Sequence, residues 1–234
     1  MTVQTGFNGF PIETSEFFAE LVMNNSKAWF DEHRQDYEEH IMTPARAFIV
    51  HMGARLRTIS PGIIADPRVN KSLFRINRDT RFSKDKSPYK SHLGLWFWEG
   101  EGARMECSGY YFHLKPPLLM LAAGMHEFPK NILDAYRESV VHPKHGPALA
   151  EAIKQVKTQG FLVGGKHYKK TPRGYDANHE NADLLLYNGL YVAEETPIPP
   201  ELHSPACLDY CFSRYEQMQP VHTWLLEMTR RAGL

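Results

Sequence analysis

The stretch Ser91–His126 reads SHLGLWFWEGEGARMECSGYYFHLKPPLLMLAAGMH. Aromatic and β-forming residues fill Ser91–Trp98 and Arg104–Leu114, the composition of strands that pack on a pleated surface. Glu99-Gly100-Glu101-Gly102 separates them as a turn. Lys115-Pro116-Pro117 makes a second turn into Leu118–His126. Connections this short favour antiparallel pairing. The spacing predicts a mainly antiparallel sheet of four or more strands, with His92, Gly109, Tyr111 and Gly124 on or near it.

Outward from that sheet the period changes. On the N-terminal side Phe17, Phe18, Leu21 and Val22 share one helical face behind Thr14, a capping residue. Asn24-Asn25 ends that helix and Ser26 caps the next, which carries Trp29, Phe30, His33, Tyr37 and Ile41. Thr43-Pro44 is a fresh start signal before Ala45, Phe48, Ile49, Met52 and Leu56. Leu73–Asn77 reads as extended. On the C-terminal side Pro129 opens a helix bearing Ile132, Leu133, Tyr136 and Val140, and another runs from about Pro147 to Gln159, with Gly160 as its cap. Asn178 caps a short helix, Leu190–Ala193 is a candidate strand, Ser204-Pro205 starts a helix, and Pro220 opens a last one. The fold class expected is α+β, with the mid-chain sheet covered by N- and C-terminal helices. One domain over residues 1–234 is expected, because the flanking apolar stripes need a partner.

The composition bounds the function. The chain has 234 residues, 42% hydrophobic and 23% charged, as an ordinary globular protein has. Its formal net charge is zero, so any affinity for polyanions has to come from a local patch. Met1–Phe10 lacks the basic and apolar regions of a secretory leader, and the longest apolar run, about Leu118–Met125, is too short for a bilayer. Three cysteines, Cys107, Cys207 and Cys211, suit reduced thiols. Together these point to a cytoplasmic setting. Twelve histidines are scattered with no His-Glu-x-x-His spacing, so no metal site is expected. No dinucleotide-binding glycine motif or Walker loop is present, and no cofactor is indicated.

The function-like signal is charge. Between Lys71 and Lys90 stand seven basic residues against Asp79 and Asp85. Arginine offers a planar fork matched to phosphate or carboxylate, and lysine a mobile point charge. Arg75, Arg78, Arg81, Lys84, Lys86 and Lys90 are therefore candidate ligand-binding residues. The competing account is a solvated loop whose arginines pair with Asp79 or Asp85. Lys166–Tyr175 is a second basic stretch with Arg173, and Arg137 sits near the edge of an apolar helix face; both are candidate second contributors. Asp79 and His179 are weaker candidates for acid–base work, a charged loop carboxylate and a titratable imidazole.

The phrases Phe74-Arg75-Ile76, Arg78-Asp79, Arg81-Phe82-Ser83-Lys84-Asp85-Lys86 and Pro88-Tyr89-Lys90 resemble the hallmark segment of the bacterial and fungal family catalogued as domain of unknown function 2461. Asn25 with Trp29-Phe30, Tyr37, Pro44, Gly109-Tyr110-Tyr111, Gly124, Arg137 and Pro172-Arg173-Gly174-Tyr175 extend the resemblance along nearly the whole chain. It implies one full-length domain and supplies no reaction, substrate or cofactor. Three readings stand at this point. One is a pocket, with or without an enzymatic activity, for a small phosphate- or carboxylate-bearing ligand. Another is a nucleic-acid-binding module that uses Phe82 and Tyr89 for stacking; zero net charge counts against it. The third is an interaction domain with an acidic protein partner. Oligomeric state is open in all three, and no membrane association is expected.

Overall fold

The computed structural model describes residues 6–234; the first five residues of the stretch Met1–Phe10 lie outside it. The N-terminal helices are α1 (Ile12–Met23), α2 (Lys27–Glu32), the short α3 (Arg34–Asp36), a π-helical stretch Tyr37–Met42, and α4 (Thr43–Leu56). The strands β1 (Leu93–Glu99), β2 (Ser108–Lys115) and β3 (Leu118–Met125) follow. Then come α5 (Lys130–Val141), α6 (His145–Thr158), β4 (Leu162–Lys166), β5 (Tyr187–Pro197) and α7 (Ala206–Arg231). One antiparallel sheet contains all five strands, in the order β1-β2-β3-β5-β4. The fold is α+β.

The mid-chain hairpins form as their sequence dictates, and two further strands join them from beyond residue 126. Leu190–Ala193 belongs to the longer β5. β4 reads LVGGK and has no alternation to reveal it. It exists because β5 supplies a template: Leu162 pairs with Ala193, Val163 with Val192 and Gly164 with Tyr191, before the register slips. The slip falls at Gly165, whose φ of +103° and approach to the Gly189 carbonyl exclude a side chain.

Local corrections have local reasons. Thr14 does not cap α1; it is buried one turn in, and its hydroxyl donates to the His40 carbonyl at 2.7 Å. Ser26 does cap α2, accepting from the Trp29 amide at 3.3 Å. Arg104–Glu106 is a 3-10 turn, and the strand begins only at Ser108. Pro220 lies inside α7 and opens nothing. A proline there forfeits one helical hydrogen bond. The buried stripe Cys207, Leu208, Cys211, Tyr215, Met218, Val221, Trp224 and Leu225 runs unbroken past it and outweighs that loss.

The chain divides into two compact units, Met1–Phe97 with Tyr111–Leu121 and Glu195–Ser213, and Trp98–Tyr110 with Ala122–Glu194 and Arg214–Leu234. In the first, Phe10, Phe48 and Phe112 form an aromatic core, with Phe10 stacked on Phe112 at 5.4 Å and Phe48 at 5.0 Å from Phe112. In the second, Tyr136 of α5 is fully buried. Its hydroxyl donates to the Leu184 carbonyl at 3.0 Å, and Trp224 meets its ring edge-on.

Candidate functional site

The basic segment folds as a loop with a clasped neck. Ile76 and Tyr89 are buried and anchor its two ends. Between them Asn77 and Tyr89 pair as an antiparallel bridge, flanked by the Arg78 amide donating to the Pro88 carbonyl and the Lys90 amide donating to the Ile76 carbonyl, each at 2.8 Å. The outer edge of Tyr89 is satisfied by a side chain 64 positions away. The Asn25 amide nitrogen donates to the Tyr89 carbonyl at 3.0 Å, and the Tyr89 amide donates to the Asn25 carbonyl oxygen at 3.0 Å. An asparagine carries one donor and one acceptor side by side, so it substitutes for the missing neighbour strand. The Tyr89 ring stacks on Phe30 of α2 at 4.2 Å.

Inside the loop, Arg78 pairs with Asp85 and also donates to the Ser87 carbonyl at 3.2 Å; its side chain is 25% exposed. Asp85 accepts from the Ser87 amide at 2.9 Å and the Ser87 hydroxyl at 2.6 Å. Those bonds, followed by Arg78, hold its carboxyl down at about 2. Arg78 is thus held in a fixed orientation by Asp85 and the Ser87 carbonyl.

Beside this neck lies a cavity of about 290 Å³ into which Arg78, Lys90, Ser87, Ser91 and His92 converge, with Asp85 and Asn25 also on its wall. Two cations face one carboxylate, leaving an excess of one positive charge. His92 continues into a histidine pair: its ring lies 4.3 Å from that of His113 on β2, whose Nδ1 is 2.9 Å from the Tyr111 hydroxyl. Burial, then His113, Lys90 and Lys115, pulls His92 down to about 4. Burial and Lys115 lower His113 as well, against a raising influence from Glu195. Both imidazoles are therefore neutral at neutral pH, each with one donor and one acceptor nitrogen.

The other candidate residues are distributed differently. Arg75 is exposed on the side of the chain opposite Ile76. Arg81 turns back onto Asp79 with bonds of 3.0, 3.2 and 2.7 Å. Those bonds hold the Asp79 carboxyl below its usual range, which makes it a poor proton acceptor. Lys84 is exposed, and Lys86 donates to the Thr80 carbonyl at 2.9 Å. The loop arginines thus satisfy part of the solvated-loop account, while Arg78 and Lys90 line the cavity. Arg137, Arg173 and His179 belong to the second unit. Arg173 is exposed, and His179 is half-buried with its Nδ1 accepting from the Asn181 amide at 3.0 Å.

Asn25, Ser87, Ser91 and His113 were not legible as site residues. The one signal available was the spacing of Tyr111 and His113, two apart on a strand and hence on one face.

The second unit also holds Ser108, His222 and Glu99. The Ser108 hydroxyl is 2.8 Å from His222 Nδ1, and His222 Nε2 is 3.9 Å from Glu99, which pairs with Arg230 at 2.8 Å. The residue types match a hydrolytic triad. His222 is 0% exposed, however, and Ser108 is buried, so no substrate reaches the hydroxyl; the network closes polar groups inside the core. Cys107 is likewise buried, next to the Gly100–Gly102 turn, while His126 is exposed and stacks on Tyr191.

A family profile described as "Conserved hypothetical protein (DUF2461)" matches residues 13–224. No curated protein and no solved structure matches the chain.

Proposed function

This chain belongs to the DUF2461 family of conserved hypothetical proteins, and from that premise we propose that it binds a small phosphate- or carboxylate-bearing ligand in the cavity at the neck of the 78–88 loop. The observation that carries the reading is the convergence of Arg78, Lys90, Ser87, Ser91 and His92 on one cavity of about 290 Å³. Ligand sites are typically concave and begin at roughly this volume, with a few convergent polar groups. A half-buried, pre-oriented guanidinium with adjacent hydroxyls is the donor set that a single oxyanion needs. The excess of one positive charge favours a small anion over a polymer. Buried, free Cys107, Cys207 and Cys211 support a cytoplasmic setting. Among the described residues no helix is long and apolar enough to cross a membrane.

A second reading has one observation in its favour. Phe82 at the loop tip is 95% exposed, with the Arg81 guanidinium 5.7 Å from its ring, an arrangement that would stack a base of single-stranded nucleic acid. The two readings part in a thermal-shift series. An anion that binds only the folded state stabilises it by about 2.7 kcal/mol at a hundredfold excess over its dissociation constant. Inorganic phosphate and phosphomonoesters should raise the melting temperature at fixed ionic strength, and Arg78→Ala should remove that increment. If phosphate has no effect while single-stranded RNA binds with a steep salt dependence, lost in Phe82→Ala, the pocket reading fails and the second replaces it.

A further inference from the structure

The second unit contains a cation that its own fold leaves unanswered. Arg137 projects from α5 next to the fully buried Tyr136, and it is itself half-buried. Its Nε is shielded from water with no hydrogen-bond partner, and among the described residues no carboxylate stands within ion-pair distance of it. This sets it apart from the other arginines. Arg34, Arg46, Arg55, Arg68, Arg214 and Arg231 each pair with a carboxylate, and Arg57 donates to the Ile63 carbonyl at 3.1 Å. Arg75 and Arg173 are exposed to water. A guanidinium whose Nε is cut off from water and whose charge meets no counterion within the fold is costly, and an anion at its terminal nitrogens would offset that cost.

The surroundings say what that is. The Arg137 guanidinium carbon lies 5.0 Å from the ring centroid of Tyr168. Tyr168 is fixed at both ends, its hydroxyl donating to Asn188 at 3.2 Å and its amide to the Leu186 carbonyl at 2.9 Å, and His167 braces the ring edge-on at 5.0 Å. A guanidinium held against an aromatic ring through its face, with Nε shielded, keeps the edge of its two terminal nitrogens for parallel bonds to an oxyanion. Tyr168 also begins a run without acids: Lys169, Lys170 and Arg173 follow before Asp176, all three exposed. Lys166, just before it, is already paired with Asp183. The positive charge of the loop that Tyr168 begins suits a dianion better than a single carboxylate. We propose that Arg137, seated on Tyr168 and supported by the 169–173 loop, forms a second oxyanion site, for the phosphate group of a phosphomonoester. It rests on different residues from the pocket at the loop neck and stands or falls separately.

The test is a side-chain NMR titration of the full chain labelled with 15N-arginine, with the Arg137 Nε–Hε signal assigned by its loss in Arg137→Lys. Inorganic phosphate, acetate and chloride are added at constant ionic strength to the wild type, Arg78→Ala and Tyr168→Ala. The expected result is a saturable shift of the Arg137 signal with phosphate, unchanged in Arg78→Ala and needing roughly threefold to tenfold more phosphate in Tyr168→Ala, the size of a lost cation–π seat. Absence of the shift overturns the site. A shift that disappears in Arg78→Ala overturns it too, since the signal would then report the neck pocket. An equal response to acetate or chloride overturns the phosphate assignment. If Arg137→Lys fails to fold, through-bond correlation to the Arg137 backbone assigns the signal, and the wild-type and Arg78→Ala titrations decide the matter even if the Tyr168 variant also fails to fold.

Discussion

Replacing Asn25 by alanine should loosen the loop neck from a distance of 64 residues. The side chain makes two bonds of 3.0 Å to the backbone of Tyr89, one in each direction. Each is worth about 1 kcal/mol net, and the partners left behind are partly buried, so the loss is about 2 kcal/mol and at most roughly 3. For a chain of 234 residues that corresponds to a fall in Tm of roughly 4–8 °C. The Tyr89 ring remains on Phe30, so the damage should be local. Amide hydrogen exchange should show Tyr89 losing protection while the buried strand residues of β1 keep theirs. Asn25→Asp separates the two bonds. A carboxylate still accepts from the Tyr89 amide, but its second oxygen faces the Tyr89 carbonyl and repels it. Exchange at Tyr89 should then stay slow although the protein is destabilised. Urea unfolding gives the free energies, and phosphate binding should weaken in both variants because Arg78, Tyr89 and Lys90 line one cavity. If Asn25→Ala unfolds within about 0.5 kcal/mol of wild type, as an ordinary surface change does, and Tyr89 exchange is unaltered, the clasp is not what holds the neck.

Three further outcomes follow from the same geometry. His92, held down at about 4 in the folded chain and near 6.5 when unfolded, takes up its proton first in the unfolded state, so stability is complete above pH ~6.5 and falls as pH drops toward about 4. After discounting for partial exposure the loss is roughly 1–2 kcal/mol, and His92→Gln should flatten that part of the urea-derived pH profile; an identical profile would sink the assignment. Ser108→Ala should cost about 1–3 kcal/mol by leaving His222 Nδ1 unsatisfied in the core, with phosphate binding intact, whereas a loss of binding without loss of stability would contradict a purely structural network. Gly124→Ala should be among the most damaging single changes, by about 3 kcal/mol or more. Its φ is +125° and the new Cβ would fall 2.3 Å from the Leu190 carbonyl oxygen, so a soluble variant with a wild-type melting temperature would refute the close approach.

What the chain declares locally is what each segment can bury. Ile132, Leu133, Tyr136 and Val140 recur at helical spacing and are the buried face of α5. The aromatic runs around the Glu99–Gly102 turn are β1 and β2, apart from the 3-10 turn that precedes Ser108, because half-buried pleated surface suits those side chains wherever they occur. The concentration of charge near Arg78 was legible for the same reason: it is a property of twenty consecutive residues. Tertiary structure decided the rest. β4 has no pattern of its own and is a strand only because β5 offers unpaired backbone. Pro220 reads as a helix start, yet the apolar stripe on both sides carries α7 through it. Within the basic segment, chemistry of identical type was sorted by three-dimensional closure. Arg81 folds back on Asp79, Arg78 faces a cavity beside His92, and the residue that clasps that cavity, Asn25, comes from another part of the chain. Periodicity and composition report short-range free energies, whereas hydrogen bonds between residues 64 apart depend on which segments meet once the core has formed.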